Sequence, residues 1–108
     1  MLYELRIYYA VPGKLPNVNA RFRNHTLRLF EKHGIKSVGY WTYMFGPSNN
    51  QLVYMLEWQD LAQRQRLWAE FGSDPEWLAV RKETEKDGAI VDHVENSILS
   101  PTDYSPMK

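Results

Sequence analysis

Residues 35–58 read IKSVGYWTYMFGPSNNQLVYMLEW, and this stretch decides the fold. Ile35–Phe45 is rich in β-branched and aromatic types (Val38, Tyr40, Trp41, Thr42, Tyr43, Phe45), which suit a pleated, half-buried surface. Leu52–Trp58 alternates Leu52, Tyr54, Leu56 and Trp58 with Val53, Met55 and Glu57, the two-residue period of a strand. Between them Gly46-Pro47-Ser48-Asn49-Asn50 is a turn by composition. The stretch therefore predicts a β-hairpin.

Upstream, Leu2–Tyr9 reads as a further strand, and Pro12-Gly13 ends it. A helix is predicted from about Leu15 or Pro16, with Leu15, Val18, Phe22, Thr26 and Leu29 recurring every three or four residues and His25 and Phe30 beside that stripe. His33-Gly34 closes it, glycine supplying the left-handed residue past the helix end. Downstream of the hairpin, Asp60 with Gln63 reads as a capping box opening a helix that carries Leu61, Arg64, Trp68 and Phe71. Gly72 interrupts it. Ser73-Asp74-Pro75-Glu76 starts a second segment, with Trp77, Leu78 and Arg81 on one side and a stop near Gly88. Ala89–Leu99 is the fourth strand, and residues 100–108, with Pro101 and Pro106, form a tail.

The order β-α-β-β-α-β predicts an α+β domain of ferredoxin-like build over residues 1–99. Right-handed crossovers make its sheet four-stranded and antiparallel, with strands one and three central and the helices on one face. At 108 residues there is room for one core.

Thirteen Lys+Arg balance thirteen Asp+Glu, which argues against a nucleic-acid binder, since phosphates demand a basic footprint. There is no cysteine, so disulfides, thiolate chemistry and cysteine zinc sites are excluded. The apolar N-terminal run carries Glu4 and Arg6, so it reads as neither a secretory signal nor a membrane span. A soluble, cytoplasmic protein is expected.

On strand one the apolar set Tyr3, Leu5, Ile7 and Tyr9 is assigned to the helices, which leaves Leu2, Glu4, Arg6 and Tyr8 on the other face with Val53, Met55 and Glu57. A sheet wetted on one side shows clean polar alternation there; this one does not. A patch of that kind predicts a two-fold homodimer with stacked sheets, joined at Glu4, Arg6, Tyr8, Met55 and Glu57, Arg6 pairing with Glu4 or Glu57.

Tyr3-Glu4-Leu5-Arg6-Ile7-Tyr8, His25-Thr26-Leu27, Glu31-Lys32-His33-Gly34-Ile35, Val38-Gly39-Tyr40-Trp41 and Asp74-Pro75-Glu76-Trp77 together resemble the NIPSNAP domain, a likeness that runs on to Glu95-Asn96-Ser97-Ile98-Leu99. The resemblance implies a dimeric α+β barrel, a group that also holds cofactor-independent monooxygenases, haem-degrading enzymes and small-molecule-binding proteins. It implies no catalytic motif.

His25, beside the apolar stripe, is expected to point at the sheet near Tyr3 or Tyr54, as a structural core histidine or as a candidate base, haem ligand or ligand partner. Tyr3, His25, Trp41, Tyr54 and Trp68 are the candidate pocket, with Trp58 a further aromatic near them, and core filling is the alternative role of each. No metal site is expected. His25 and His33 stand about 12 Å apart along one helix, and strand alternation sends Asp92 and His93 to opposite faces. Lys14, Arg21, Arg23, Arg28 and Lys32 read as a solvated helix face, with an acidic ligand or partner as the second reading. The function expected is binding of a small, aromatic or apolar molecule between sheet and helices, with no cofactor. The alternatives are a haem-binding or cofactor-independent monooxygenase-like enzyme, or a non-catalytic dimeric interaction module.

Overall fold

The computed structural model describes residues 1–108. Four strands, β1 (Leu2–Ala10), β2 (Lys36–Trp41), β3 (Gln51–Trp58) and β4 (Val91–Leu99), form one antiparallel sheet in the order β2-β3-β1-β4. The ferredoxin-like order expected from the alternation of strands and helices is present, with β1 and β3 central. The hairpin pairs Tyr40 with Tyr54 and Trp41 with Val53. β2 nevertheless stops at Trp41, short of the aromatic run that extends to Phe45. The reason lies at Asn50: its backbone carbonyl accepts from Ala10 N at 3.1 Å and its Nδ2 donates to Ala10 O at 2.8 Å. That end of the hairpin is spent on β1. Met44 and Phe45 are left 90% and 91% exposed in the connecting loop.

The first helix is continuous but not uniform: α1 (Leu15–Arg21) passes through a π-helical segment (Phe22–Thr26) into α2 (Leu27–Lys32). Leu27 N donates to Phe22 O, five residues back. Phe22, Thr26 and Phe30 recur every four residues, a spacing that drifts around a 3.6-residue helix. The wider π turn absorbs the drift and keeps all three buried. Gly34 then closes the helix at φ +75°.

α3 (Leu61–Gly72) starts at Asp60, whose side chain accepts from Gln63 N at 2.7 Å, and Gln63 Oε1 in turn accepts from Gln59 N at 2.7 Å. α4 (Pro75–Thr84) starts at Asp74, whose side chain accepts from Glu76 N at 2.8 Å. The same carboxylate receives Lys32 Nζ at 2.8 Å and His33 Nε2 at 2.6 Å, so one residue both caps α4 and ties down the end of α2. Arg23, Arg28 and Lys32 of the first helix are exposed, as expected of a solvated face, while Arg21 is buried, and three of these basic residues are also paired with acids. Arg28 pairs with Glu76 at 2.6 Å, Lys32 with Asp74, and buried Arg21 with Glu85 at 3.0 Å.

The core lies between β3 and the helices, where Tyr54, Leu56 and Trp58 meet Phe22, Leu29, Phe30, Leu67 and Phe71. Strand β1 is turned the opposite way from the expectation. Glu4 bonds to Arg64 of α3, Arg6 to Tyr54, and the Tyr8 ring packs on Phe22 at 5.5 Å, so Glu4, Arg6 and Tyr8 face the helices. Tyr3, Leu5, Ile7 and Tyr9, across from Glu57, Met55, Val53 and Gln51, line the other face. Hydrophobicity alone assigns charged residues outward; here they are buried because they satisfy one another. The molecule is a two-layer slab of 46 × 36 × 19 Å.

Candidate ligand site

The helix side of β1 carries an unusual polar centre. Glu4 is 0% exposed, and its carboxylate accepts from donors on every side. Trp58 Nε1 (3.0 Å) and Arg64 Nε (2.7 Å) donate to Oε1. Arg6 Nη1 (2.9 Å), Arg64 Nη2 (3.0 Å) and Asn96 Nδ2 (3.0 Å) donate to Oε2. Burial alone would push this carboxyl up, but the hydrogen bonds from Arg64, Asn96 and Arg6 and the charge of Arg6 hold it down at about 2. Two guanidinium groups face one carboxylate, so the centre keeps one positive charge. The Arg6 guanidinium lies over the Trp68 ring at 4.7 Å, where the π-face receives it.

From Arg6 the network runs along the sheet. Arg6 Nε donates to Tyr54 Oη at 2.8 Å, and Tyr54 Oη donates to Tyr8 Oη at 3.2 Å. The Tyr54 ring stacks on Tyr40 at 5.2 Å, and Phe22 leans on both, 5.2 Å from Tyr54 and 5.6 Å from Tyr40. Tyr40 Oη is 2.6 Å from Ser37 Oγ, and burial pushes its phenol pKa up, so it stays protonated at neutral pH.

At Tyr40 the helical layer parts from the sheet. A groove of about 210 Å³ opens there between the first helix and β2–β3. Phe22, Leu27, Tyr40 and Leu52 form its walls, and Asn19 and Arg23 stand at its rim. The π turn helps to make it, since Phe22 begins that turn and Leu27 follows it. This volume accepts one substituted ring, given that a buried cavity of ~150 Å³ takes benzene.

Only part of the candidate pocket comes together. Tyr54 and Trp68 lie in the helix–sheet layer, Tyr54 directly behind the groove. Tyr3 is on the opposite face, across from Glu57. Trp41, 52% exposed, lies on that face too, its indole spread over Gly39: a Cβ there would sit 2.7 Å from two ring atoms. His25 does not point at the sheet. It lies in a cleft against the end of α4, with Asn17, Arg21, Asn24, Glu83, Thr84, Lys86 and Asp87, because the π turn carries it round the helix. Of the dimer candidates, Met55 and Glu57 are on the open face, while Glu4, Arg6 and Tyr8 are behind it.

Arg64, Asn96 and the groove residues Phe22, Leu27, Tyr40 and Leu52 were not among the candidates. Arg64 did carry a signal, being a charge at an apolar helical position. No three His, Asp or Glu side chains converge as a metal site would need. Asp92 and His93 do meet, His93 Nδ1 lying 2.6 Å from Asp92 Oδ2, contrary to simple strand alternation.

Sheet order, helix placement and connections define a ferredoxin-like α+β protein. The chain belongs to the NIPSNAP family, whose model matches residues 3–106. A NIPSNAP family protein of unknown function from Agrobacterium tumefaciens is 27% identical, with 100% of this chain and 94% of that chain covered at a TM-score of 0.86. An uncharacterised NIPSNAP domain protein from Burkholderia xenovorans is 24% identical over 98% and 99% of the two chains, with a TM-score of 0.83. A putative antibiotic biosynthesis monooxygenase from Nitrosomonas europaea shares the fold alone: 11% identity, 94% and 98% covered, TM-score 0.63. No curated protein sequence matches the chain. No helix is long and apolar enough to cross a membrane.

Proposed function

We propose that this NIPSNAP protein binds a small, largely apolar molecule in the groove between its first helix and β2–β3. The observation that carries this reading is the apolar wall of Phe22, Leu27, Tyr40 and Leu52 around about 210 Å³ of space. Haem ligation by His25 has no such support, because that side chain lies in the polar cleft on the α4 side. The test is nuclear magnetic resonance titration with single-ring compounds. Amide shifts centred on residues 22, 27, 40 and 52, lost when Leu27→Trp fills the groove, are expected. Shifts centred elsewhere, or none at millimolar ligand, overturn the reading.

A second reading is favoured by the opposite sheet face: two copies pair there. Tyr3, Leu5, Ile7, Val53, Met55 and Trp41 lie together on it, and Glu57 sits across from Lys36, so both signs of charge are present. Four strands at ~4.8 Å spacing and eight residues at ~3.3 Å give a plane of about 500 Å² before side-chain relief. Side-chain relief on these strands, β4 among them and exposed along almost its whole length, raises this toward the ~800 Å² per partner of a stable interface. Zero net charge removes long-range repulsion between copies. Sedimentation checks it: Met55→Lys is expected to give folded monomers or aggregates, and an unchanged dimer, or a monomeric parent protein, sinks the arrangement.

A further inference from the structure

We propose that the groove selects a singly charged anion, a carboxylate on a small aromatic or branched apolar body, and that Arg23 is the residue that holds the charge. The inference rests on the groove being a ligand site and adds the ligand's chemical class.

The argument begins with the fate of the basic residues on the first helix. Arg21, Arg28 and Lys32 each meet an acid of the α4 region, respectively Glu85, Glu76 and Asp74. Arg23 meets none: it is exposed, its guanidinium makes no hydrogen bond and no ion pair, and it stands at the rim of a groove whose lining is mostly apolar. No Asp or Glu lines that groove. Asn19, four residues earlier and on the same rim, has a side-chain amide without a protein partner. Asn19, Arg23 and Leu27 thus form a row of amide, guanidinium and isobutyl group facing Tyr40 and Leu52.

This arrangement suits an amphiphile of one ring and one carboxylate. The ring is desolvated against Phe22, Leu27, Tyr40 and Leu52, while the carboxylate accepts the paired N–H groups of a guanidinium at the mouth. Placing the charge at the rim avoids the cost of carrying it into the apolar part. The positive centre at Arg6 and Arg64, behind Tyr54, adds a field of the same sign from within.

Calorimetric titration with phenylacetate and its neutral isostere phenylacetamide, at pH 7 and low salt, separates the possibilities. Phenylacetate is expected to bind about tenfold more tightly, and Arg23→Gln, at an exposed position that leaves the fold intact, is expected to remove that advantage while leaving phenylacetamide unchanged. Equal binding of the two probes, with both lost in Leu27→Trp, overturns the anion selectivity and keeps the groove. Tighter binding of phenylacetate that survives Arg23→Gln overturns the role of Arg23. Failure of both probes to bind overturns the ligand site and the selectivity together.

Discussion

Arg64 holds Glu4 with two nitrogens on one edge of its guanidinium, Nε donating to Oε1 at 2.7 Å and Nη2 to Oε2 at 3.0 Å, across 60 residues of chain. This fork joins α3 to the first strand at a point with no exposure on the carboxylate side. Charge-assisted, two-point contacts of this kind are the strong ones, and removing a single partner from a buried group leaves the other uncompensated.

Glu4→Gln is accordingly expected to cost about 3–5 kcal/mol in urea unfolding at pH 7. The pH dependence follows from a folded-state pKa of about 2 against an ordinary value of 4.5. The depressed pKa makes the carboxylate stabilising above about 4.5, and that contribution is lost as pH falls from there through about 2. The gap between the parent protein and Glu4→Gln should therefore narrow across that window; a constant gap contradicts it.

Asp74 offers a second acid-sensitive contact of different design. Hydrogen bonds from Lys32, His33 and the Glu76 backbone hold its carboxyl well below the usual range. Asp74→Asn retains a capping oxygen and loses the ion pairs; Asp74→Ala loses both. Thermal melts at pH 7 are expected to rank parent, Asp74→Asn and Asp74→Ala in falling order, and a reversed order of the two variants counts against the capping role. Because the folded pKa is depressed, this contribution too fades as pH drops below the ordinary aspartate value.

Gly39 tests the open sheet face. A Cβ there meets Cη2 and Cζ2 of Trp41 at 2.7 Å, so Gly39→Ala has to lift the indole from the strand. Trp41 is half exposed on an edge strand and free to move, so the stability cost is expected to stay within about 1 kcal/mol. Its fluorescence should shift to the red and self-association should weaken. An unshifted spectrum argues that the indole does not rest on Gly39.

The loop tip is the opposite case. Met44 and Phe45 touch almost nothing, and changing both to serine is expected to alter unfolding free energy by no more than about 0.5 kcal/mol. A larger loss in the protein at dilute concentration means that the tip is packed in solution.

Periodicity and turn chemistry were enough to place every strand and helix apart from the far end of β2, because Pro12-Gly13, the capping signals at Asp60 and Asp74, and Gly34 each act within a few residues of where they stand. The orientation of β1 was not readable that way. Glu4 and Arg6 look like surface residues until Arg64 and Asn96, 60 and 92 positions from Glu4, are brought beside them. His25 was misplaced for a local reason of another kind: a π turn changes the angle per residue, and no hydrophobic pattern announces it. The groove was half visible. Tyr54 was in the right layer, but the walls depend on where Phe22 and Leu27 fall around that turn.

The Glu4 centre also bears on how the chain reaches this structure. Its donors come from β1, β3, α3 and, at Asn96, the final strand. A chain still emerging from the ribosome, or truncated before β4, has to hold that carboxylate in a half-assembled cage open to water. Closure then waits on contacts of the greatest sequence separation, the slow kind. Arrival of the last strand is the event that seals the domain, so its completeness is sensed at a side chain on the first strand.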